Sequence, residues 1–454
     1  MPALRAISPI DGRYFKATAD LSAYFSEEAL IRYRIIVEGE YLIALFEEKR
    51  IGLRKFTDVE KRLIRNLYNF GTKDAEEVKK NEEITNHDMK AVEYFIKTRL
   101  KSTPLKDVLE WVHFALTSED TNNCAYALML SESLRDVMVP SLKSVLVSID
   151  QLAVCYKGIS MLARTHGQSA SPTTLGKEFK VFSSRLNRQI RQLEEYKILV
   201  KLNGATGNYN AHAIAYPKIN WIKFTEKFVD GLSKRRNVRL EPDLITTQIE
   251  PHDTYAELFD IMRRTNTILI DFCQDMWRYV SDHWIIQKPK KGEIGSSTMP
   301  HKINPIDFEN GEGNLGLANA LFNYFSVKLP ISRLQRDLSD STVERNFGVA
   351  FAHGLIAYKA ILKGLAKMSV NEMKIFEDLE DHQEIIAEGI QTILRREGIP
   401  LPYEKLKDLT RGRKVSRKDF EKFIESLSVA EKTKKELRKI NPRNYIGLAK
   451  KLAE

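Results

Sequence analysis

From Leu175, apolar side chains recur at Phe179, Phe182, Leu186, Ile190, Leu193, Tyr196 and Val200, the three-to-four spacing of one buried helical face. A second stripe runs through Leu258, Ile261, Thr265, Ile268, Phe272, Met276, Tyr279 and Trp284. Helices of that length bury their apolar faces along one another, so the pattern predicts a bundle. The same spacing predicts helices over 25–49, 57–69, 104–137, 315–327 and 343–368, and strand-like alternation is rare. The expected fold is all-α. A long central helical bundle (109–370) is flanked by a smaller N-terminal helical domain (1–108) and a basic, shorter-helix C-terminal domain (371–454).

Composition narrows the class. Gly (22) and Pro (15) are scarce in 454 residues, which favours long helices over many tight turns. The three cysteines, Cys124, Cys155 and Cys273, are far apart and form no CxxC, so a reduced, cytoplasmic protein is expected. The N-terminal "MPALRAISPIDGRYF" lacks a signal-peptide core, and no run approaches about 18 uninterrupted apolar residues, so no membrane association is expected. The net charge of +10 is concentrated in residues 395–454, which hold 18 Lys and Arg against 9 Asp and Glu. There the two signs interleave on helical patterns such as "EKFIESLSVAEKTKKELRK", the mark of a solvated face. A role in drawing in an anionic small molecule is the next reading. Nucleic-acid binding is not expected, because no zinc-finger, RNP or basic-zipper pattern accompanies the charge.

Chemistry-bearing residues cluster in polar stretches between the helices: "SPIDGRY" (8–14), "TNHDMKAVEYF" (85–95), "TSED" (117–120), "RTHGQ" (164–168), "NGATGNYNAH" (203–212), "TTQIEPHD" (246–253), "GEIGSSTMPHKINP" (292–305) and "RDLSDSTVERN" (336–346). Each has a plainer reading. His87 sits where Thr85, Asn86 or Asp88 would cap a helix, and His166 would serve equally as a satisfied structural histidine. No HExxH and no Cys/His cluster occurs, so neither metal nor cofactor is expected. "GEGNLG" (311–316) fits the dinucleotide fingerprint by letter, but "NPIDFEN" before it is no strand and the nucleotide reading fails.

The stretch 292–305 suits neither helix nor strand. Gly292, Gly295, Pro300 and Pro305 oppose a helix, and Lys302 opposes a buried strand. A serine acts as a base only if its alkoxide is stabilised by backbone N–H groups or a cation. Glycines that leave the backbone N–H groups accessible, with Lys302 close by, would supply both. Lys302 and Asn304 would hold a carboxylate whose charge grows as a proton leaves the neighbouring carbon. A histidine from elsewhere would protonate a leaving nitrogen. That set suits β-elimination of fumarate from an amino-succinate.

"GSSTMPHKINP" resembles the signature loop of the fumarase/aspartase superfamily, GSSxMPxKxNP, with eight fixed positions in eleven. The motif alone does not choose among the branches. The other loops, together with "NPIDFENGEGNLGLANA", resemble the adenylosuccinate lyase family of bacterial type, from about residue 7 to about residue 447. The resemblance implies a three-domain helical subunit, a homotetramer with active sites shared between subunits, and a succinyl-bearing purine nucleotide as substrate. Position by position, it implies Ser296 as general base, His166 as general acid, and Lys302 and Asn304 as stabilisers of the carbanion's carboxylate. His87, with Asn86 and Asp88, would position the succinyl and phosphate portions beside Thr117 and Ser118. Arg13, Tyr14, Arg336, Ser341 and Arg345 would hold phosphate and ribose, and Gln248, Ser297 and Asn310 would complete the pocket.

There are departures. "GQSASP" stands where the family more often has "GQPATP", and Glu344 stands where an apolar residue is commoner. The basic insert "SKRRNVRLEPDL" (233–244) reads as a surface loop. Another lyase of the superfamily, such as argininosuccinate lyase, is the alternative within it; argininosuccinate would need no phosphate-binding arginines, so phosphate competition discriminates the two. A non-catalytic helical scaffold is the alternative outside it, and intact Ser296, His166, Lys302 and Asn304 argue against that.

Overall fold

The computed structural model describes residues 3–289, 292, 298–412 and 414–454. Helices dominate, and the strands among the described residues form three two-stranded sheets. The chain divides into two compact units, one of residues 1–142, 189–267 and 313–359, the other of 143–188, 268–312 and 360–454. These boundaries fall inside long helices.

In the first unit, the Glu27–Glu47 helix starts at Ser26, whose hydroxyl accepts the Ala29 N–H at 3.1 Å. Glu27 and Glu28 complement the positive end of its dipole. It is buried nearly all round, yet it carries Arg34, Glu38 and Glu40 into the interior. The helix expected over 104–137 is interrupted. Lys106–Trp111 is 3-10, and His113 and Ala115 adopt φ values of 61° and 60°, which no continuous helix allows. Regular helix begins at Ser118, capped by Thr117. Phe259, fully buried, meets Phe322, Phe325 and Phe347 at ring-centroid distances of 5.6, 5.4 and 4.9 Å. Burying one such ring stabilises the fold by about 1.5–3 kcal/mol. The 233–244 insert is not a loose surface loop. It completes the Trp221–Arg236 helix and supplies the strand Leu240–Pro242, parallel to Ile198–Val200. Arg236 anchors it with two bonds to Glu132, at 2.6 and 2.7 Å.

In the second unit, Phe272 packs between Phe182 (5.3 Å) and Phe308 (6.3 Å). The Leu175–Glu195 helix stops short of Tyr196 and Val200, the last two positions of the predicted stripe. Ile306–Lys328 begins directly after Pro305, earlier than the expected 315, so "GEGNLG" is helical. A Cβ at Gly311 would stand 3.1 Å from Ile361 and 3.3 Å from Cys273, a close approach that glycine permits. "RTHGQ" belongs to a β-hairpin, where only a loop between helices was expected. Ser160–Thr165 pairs antiparallel with Gln168–Thr174, with a register shift between Met161 and Ala163. Short C-terminal helices close over an apolar cluster of Ile386, Ile390, Leu394, Phe420 and Ile424, which Leu162 of the hairpin joins. Basic residues there form surface pairs, such as Arg396–Glu436 (2.6 Å) and Arg438–Glu431 (2.8 Å).

Two helical stretches, Ser118–Cys155 and Ser339–Lys367, are long and apolar enough to cross a membrane. The second is 72% buried inside the fold over its apolar window, and the Ser118–Ser133 part of the first buries Glu119 and Asp120. The second is a core helix; the apolar window of the first is 33% buried.

Candidate active site

Asp120 organises the first unit's polar interior. Its carboxylate accepts the Thr117 N–H (2.8 Å), closing the N-terminal cap of the Ser118–Ser133 helix. It also accepts the N–H groups of Asn203 (3.0 Å) and Gly204 (3.2 Å) and pairs with Lys201 at 2.8 Å, both side chains fully buried. "TSED" and "NGATG" are thereby joined. The Asn203 amide reaches the Thr246 hydroxyl at 2.9 Å, and the Gln248 amide donates to the Ala205 carbonyl at 3.2 Å. These bonds bring in "TTQIEPHD". Gly207, at φ 73°, lies against the Thr246 carbonyl, where a Cβ would approach to 2.2 Å.

Three further links complete the assembly. Arg336 reaches Glu119 at 3.1 Å and Asp340 at 3.1 Å. His252 Nε2 lies 3.3 Å from Glu344, an ion pair between "TTQIEPHD" and "STVER". Arg345 spans Glu27 (3.0 Å) and Asp88 (3.1 Å), and Arg34, nearly fully buried, meets the same Asp88 oxygen at 2.6 Å and Asn122 at 2.9 Å. "TNHD" enters the cluster through Asp88. The 8–14 segment enters through a cavity of about 240 Å³, lined by Ser8, Ile10, Asp11, Ser26 and Arg345. Arg13 is exposed and lies 6.0 Å from the Tyr14 ring centroid.

Electrostatics follow from burial against partners. Burial pushes the Asp88 carboxyl up, but the charge and hydrogen bond of Arg34, the Met89 N–H and Arg345 together hold it below the ordinary carboxylate range. Burial, then the charge of Glu344, pushes Glu119 up to about 8, against the pull of Arg336 and His252. Burial alone would push His252 down, yet Glu344, Glu250 and Glu119 raise it to about 9. The buried cluster thus sets two cationic side chains, His252 and Arg336, among the carboxyl groups of Glu119, Glu344 and Asp340. Glu119, His252 and Glu344 each place a ligand atom within 4.8 Å of the others, the spacing of a metal site. Arg336 already supplies positive charge at Glu119.

His87 has a plain structural task as well. Its Nδ1 accepts the Lys90 N–H at 3.2 Å, so His87 itself caps the Asp88–Lys101 helix. Asn86 ends the preceding helix in the left-handed region, φ 49°. Ser118 opens its helix, and the Ser341 N–H meets the Asp340 carboxylate at 2.6 Å.

The second unit holds the other expected groups. His166 and Gly167 form the hairpin tip with φ 53° and 74°, both positive, the two-residue geometry that matches strand twist. The tip exposes His166 to solvent. Behind it, Ser160 bonds the Arg443 carbonyl (2.7 Å), Ser171 bonds Glu388, and Arg164 stacks over Trp284 at 5.7 Å. Lys302 is exposed, and its N–H donates to the Met299 carbonyl at 3.0 Å. Asn304 and Asn310 are half-buried. Ser296 and Ser297 lie outside the described residues.

Comparison with known proteins agrees over the full length. The lyase family profile matches residues 12–319, and the profile described as adenylosuccinate lyase C-terminal matches 332–446. An adenylosuccinate lyase of Dictyostelium discoideum is 51% identical over 98% of this chain and 97% of its own. The chain belongs to the adenylosuccinate lyase family. The adenylosuccinate lyase of Escherichia coli (strain K12) is 48% identical, covering 99% of this chain and 98% of its own. The C-terminal profile decides against the argininosuccinate branch. Solved structures add the fold. A 3-carboxy-cis,cis-muconate lactonizing enzyme of Pseudomonas putida superposes with a TM-score of 0.74 at 17% identity, covering 97% of both chains. A fumarate lyase of Mesorhizobium sp. BNC1 gives 0.72 at 17% identity, covering 96% of both. This member of the adenylosuccinate lyase family is therefore a lyase with the helical fold of the superfamily.

Reasoning from sequence missed Arg34, Glu119, Asp120, Asn122, Lys201 and His252 as members of the network. Arg34 carried a signal, since an arginine flanked by the apolar residues of "LIRYRIIVEGEY" on a helix this apolar needs a buried partner. Lys201, in "ILVKLNG", carried the same one.

Proposed function

We propose that the protein cleaves adenylosuccinate to AMP and fumarate, and the analogous succinyl-aminoimidazole-carboxamide ribotide to the carboxamide ribotide, in purine biosynthesis. The observation that carries this reading is that the motif segments of a chain of this family meet in buried and half-buried ion pairs, Asp120 with Lys201, Arg336 with Glu119 and Arg345 with Asp88. Arg336 and Arg345, fixed by carboxylates, are pre-oriented cations suited to a phosphate, with Ser341 between them in sequence and Arg13 and Tyr14 assigned to the same end of the substrate.

The chemistry assigned to the remaining groups is a β-elimination. Ser296 takes the proton from the succinyl carbon, and the electron pair forms the new C=C bond as the C–N bond breaks. Lys302 and Asn304 hold the carboxylate on which charge accumulates, and His166 delivers the proton to the departing nitrogen. His87, Asn86, Asp88, Thr117, Ser118, Gln248, Ser297 and Asn310 orient the substrate. The reaction consumes no redox equivalent.

We place this activity in the cytoplasm, consistent with free Cys124, Cys155 and Cys273. We further propose a homotetramer with sites shared between subunits. Its support is the large apolar side chains that the long helices leave exposed, among them Val147, Trp277, Leu317, Tyr324 and Val327. The deciding experiment mixes purified protein with adenylosuccinate and follows absorbance and fumarate in one tube. Conversion that Ser296→Ala abolishes supports the reading, and no conversion by the folded unmodified protein sinks it.

A further inference from the structure

Glu119, His252 and Glu344 come from three separate segments, and each stands beside groups proposed to bind substrate. Glu119 follows Thr117 and Ser118, His252 ends the turn that carries Gln248, and Glu344 lies between Ser341 and Arg345. All three are buried, at 0%, 0% and 2% exposure. Their ligand atoms lie within 4.8 Å of one another. Among the described residues, neither ring nitrogen of His252 and neither oxygen of Glu119 has an aligned hydrogen bond, so charge rather than directional bonding joins them. The geometry around His252 is enforced. Its φ is 63°, its N–H donates to Glu250 at 2.8 Å, and its ring lies against Tyr255 at 5.1 Å. On the far side of Glu119 stands Arg336, at 3.1 Å, which Asp340 holds from its own helix.

Resting on the function proposed above, we propose that Glu344 is a positioning residue for the phosphate-bearing end of the substrate: by pairing with His252 it leaves Glu119 to orient the guanidinium of Arg336. The argument is one of competing counter-charges. A buried cation takes the nearest available carboxylate, because an unpaired charge in the interior is far more costly than a shared one. With Glu344 present, His252 is matched at 3.3 Å and Arg336 is shared by Glu119 and Asp340. Without it, His252 turns to Glu119, and Arg336 loses one of its two anchors. The same change frees the Ser339–Glu344 helix from the turn that carries Gln248. The effect belongs in substrate binding, since the described ion pair of Glu344 is with His252, beside the groups proposed to bind substrate.

The test uses Glu344→Gln and Glu344→Leu, the first close in shape and the second introducing no buried polar group. Measured are kcat and KM for adenylosuccinate, inhibition by AMP, and thermal unfolding. Both variants are expected to raise KM and the AMP inhibition constant by about tenfold together, a change of about 1.4 kcal/mol, with kcat within about twofold. In an Arg336→Ala background, Glu344→Gln is expected to add nothing further, since it acts through that arginine. Unchanged KM and AMP inhibition in either folded variant, or effects that multiply in the double variant, would overturn the proposal. That outcome is distinct from failure of the parent reading, in which the unmodified protein does not turn over adenylosuccinate at all.

Discussion

Arg34 and Asp88, 54 residues apart in the chain, meet at 2.6 Å, and Arg345 approaches the same carboxylate oxygen at 3.1 Å. One carboxylate thus ties the core helix Glu27–Glu47 to the start of Asp88–Lys101 and to the segment after Ser339–Glu344. Removing one partner of a buried pair leaves the other uncompensated, which costs about 3–5 kcal/mol. Asp88 is 26% exposed and keeps Arg345, so Arg34→Met should fall near or below the low end of that range. Urea unfolding measures it. A loss below about 0.5 kcal/mol would mean that the pair is replaceable by packing alone.

The His252 cluster predicts a pH dependence with a definite sign. The folded value of about 9 lies above the ordinary 6.5. Folding therefore favours the protonated ring, and its contribution is fully present below about pH 6.5 and lost as pH rises through about 9. Glu119, raised from 4.5 to about 8, acts in the same direction. Among the described residues the imidazole faces the carboxyl groups of Glu344, Glu250 and Glu119 and the ring of Tyr255, none of them a cation that would reverse the sign. Unfolding free energy should fall by an amount on the order of 3 kcal/mol between pH 6.5 and 9.5. His252→Gln should flatten that decline, and an unaltered slope in the variant would place the titration elsewhere.

Much of this organisation was legible in the sequence because its elements are long and periodic. The stripes through Phe182 and Phe272 pack as their spacing predicts. Legibility stopped where a single backbone conformation decided the structure. His113 and Ala115 break a run whose side chains read as helical, and the "RTHGQ" turn forms a hairpin because His166 and Gly167 both take positive φ. Neither choice leaves a periodic trace. The polar loops were visible as candidate chemistry, but Arg34 and Lys201 were hidden in apolar runs, and their partners lie many tens of residues away.

Gly207 offers a test of the loop that Asp120 gathers. Its φ of 73° disfavours any L side chain, and a Cβ would stand 2.2 Å from the Thr246 carbonyl oxygen, which is backbone and has little room to move. Gly207→Ala should push the 203–207 segment away from Thr246 and Gln248. Destabilisation of about 1–3 kcal/mol is expected, with a raised KM for adenylosuccinate. Calorimetry and steady-state kinetics on the same preparation separate the two effects, and an unchanged melting temperature would contradict the contact.

The proposed division of labour between Ser296 and His166 makes two linked predictions. Ser296→Ala and His166→Ala should each lower kcat by about 10²–10⁴-fold or more, while AMP still binds, because each removes a proton-transfer step and leaves the network around Arg336 intact. The two inactive proteins, unfolded together and refolded as a mixture, then test whether sites are shared. If every site drew both groups from one chain, each site in the mixture would carry one defect and the mixture would stay inactive. If Ser296 and His166 reach a site from different chains, some mixed sites receive both defects and others receive neither. The latter are unmodified in every group that matters, so the mixture should regain a measurable fraction of the parent activity. Recovery by neither mixing nor co-expression, with each variant separately shown to assemble, would confine both groups to a single chain.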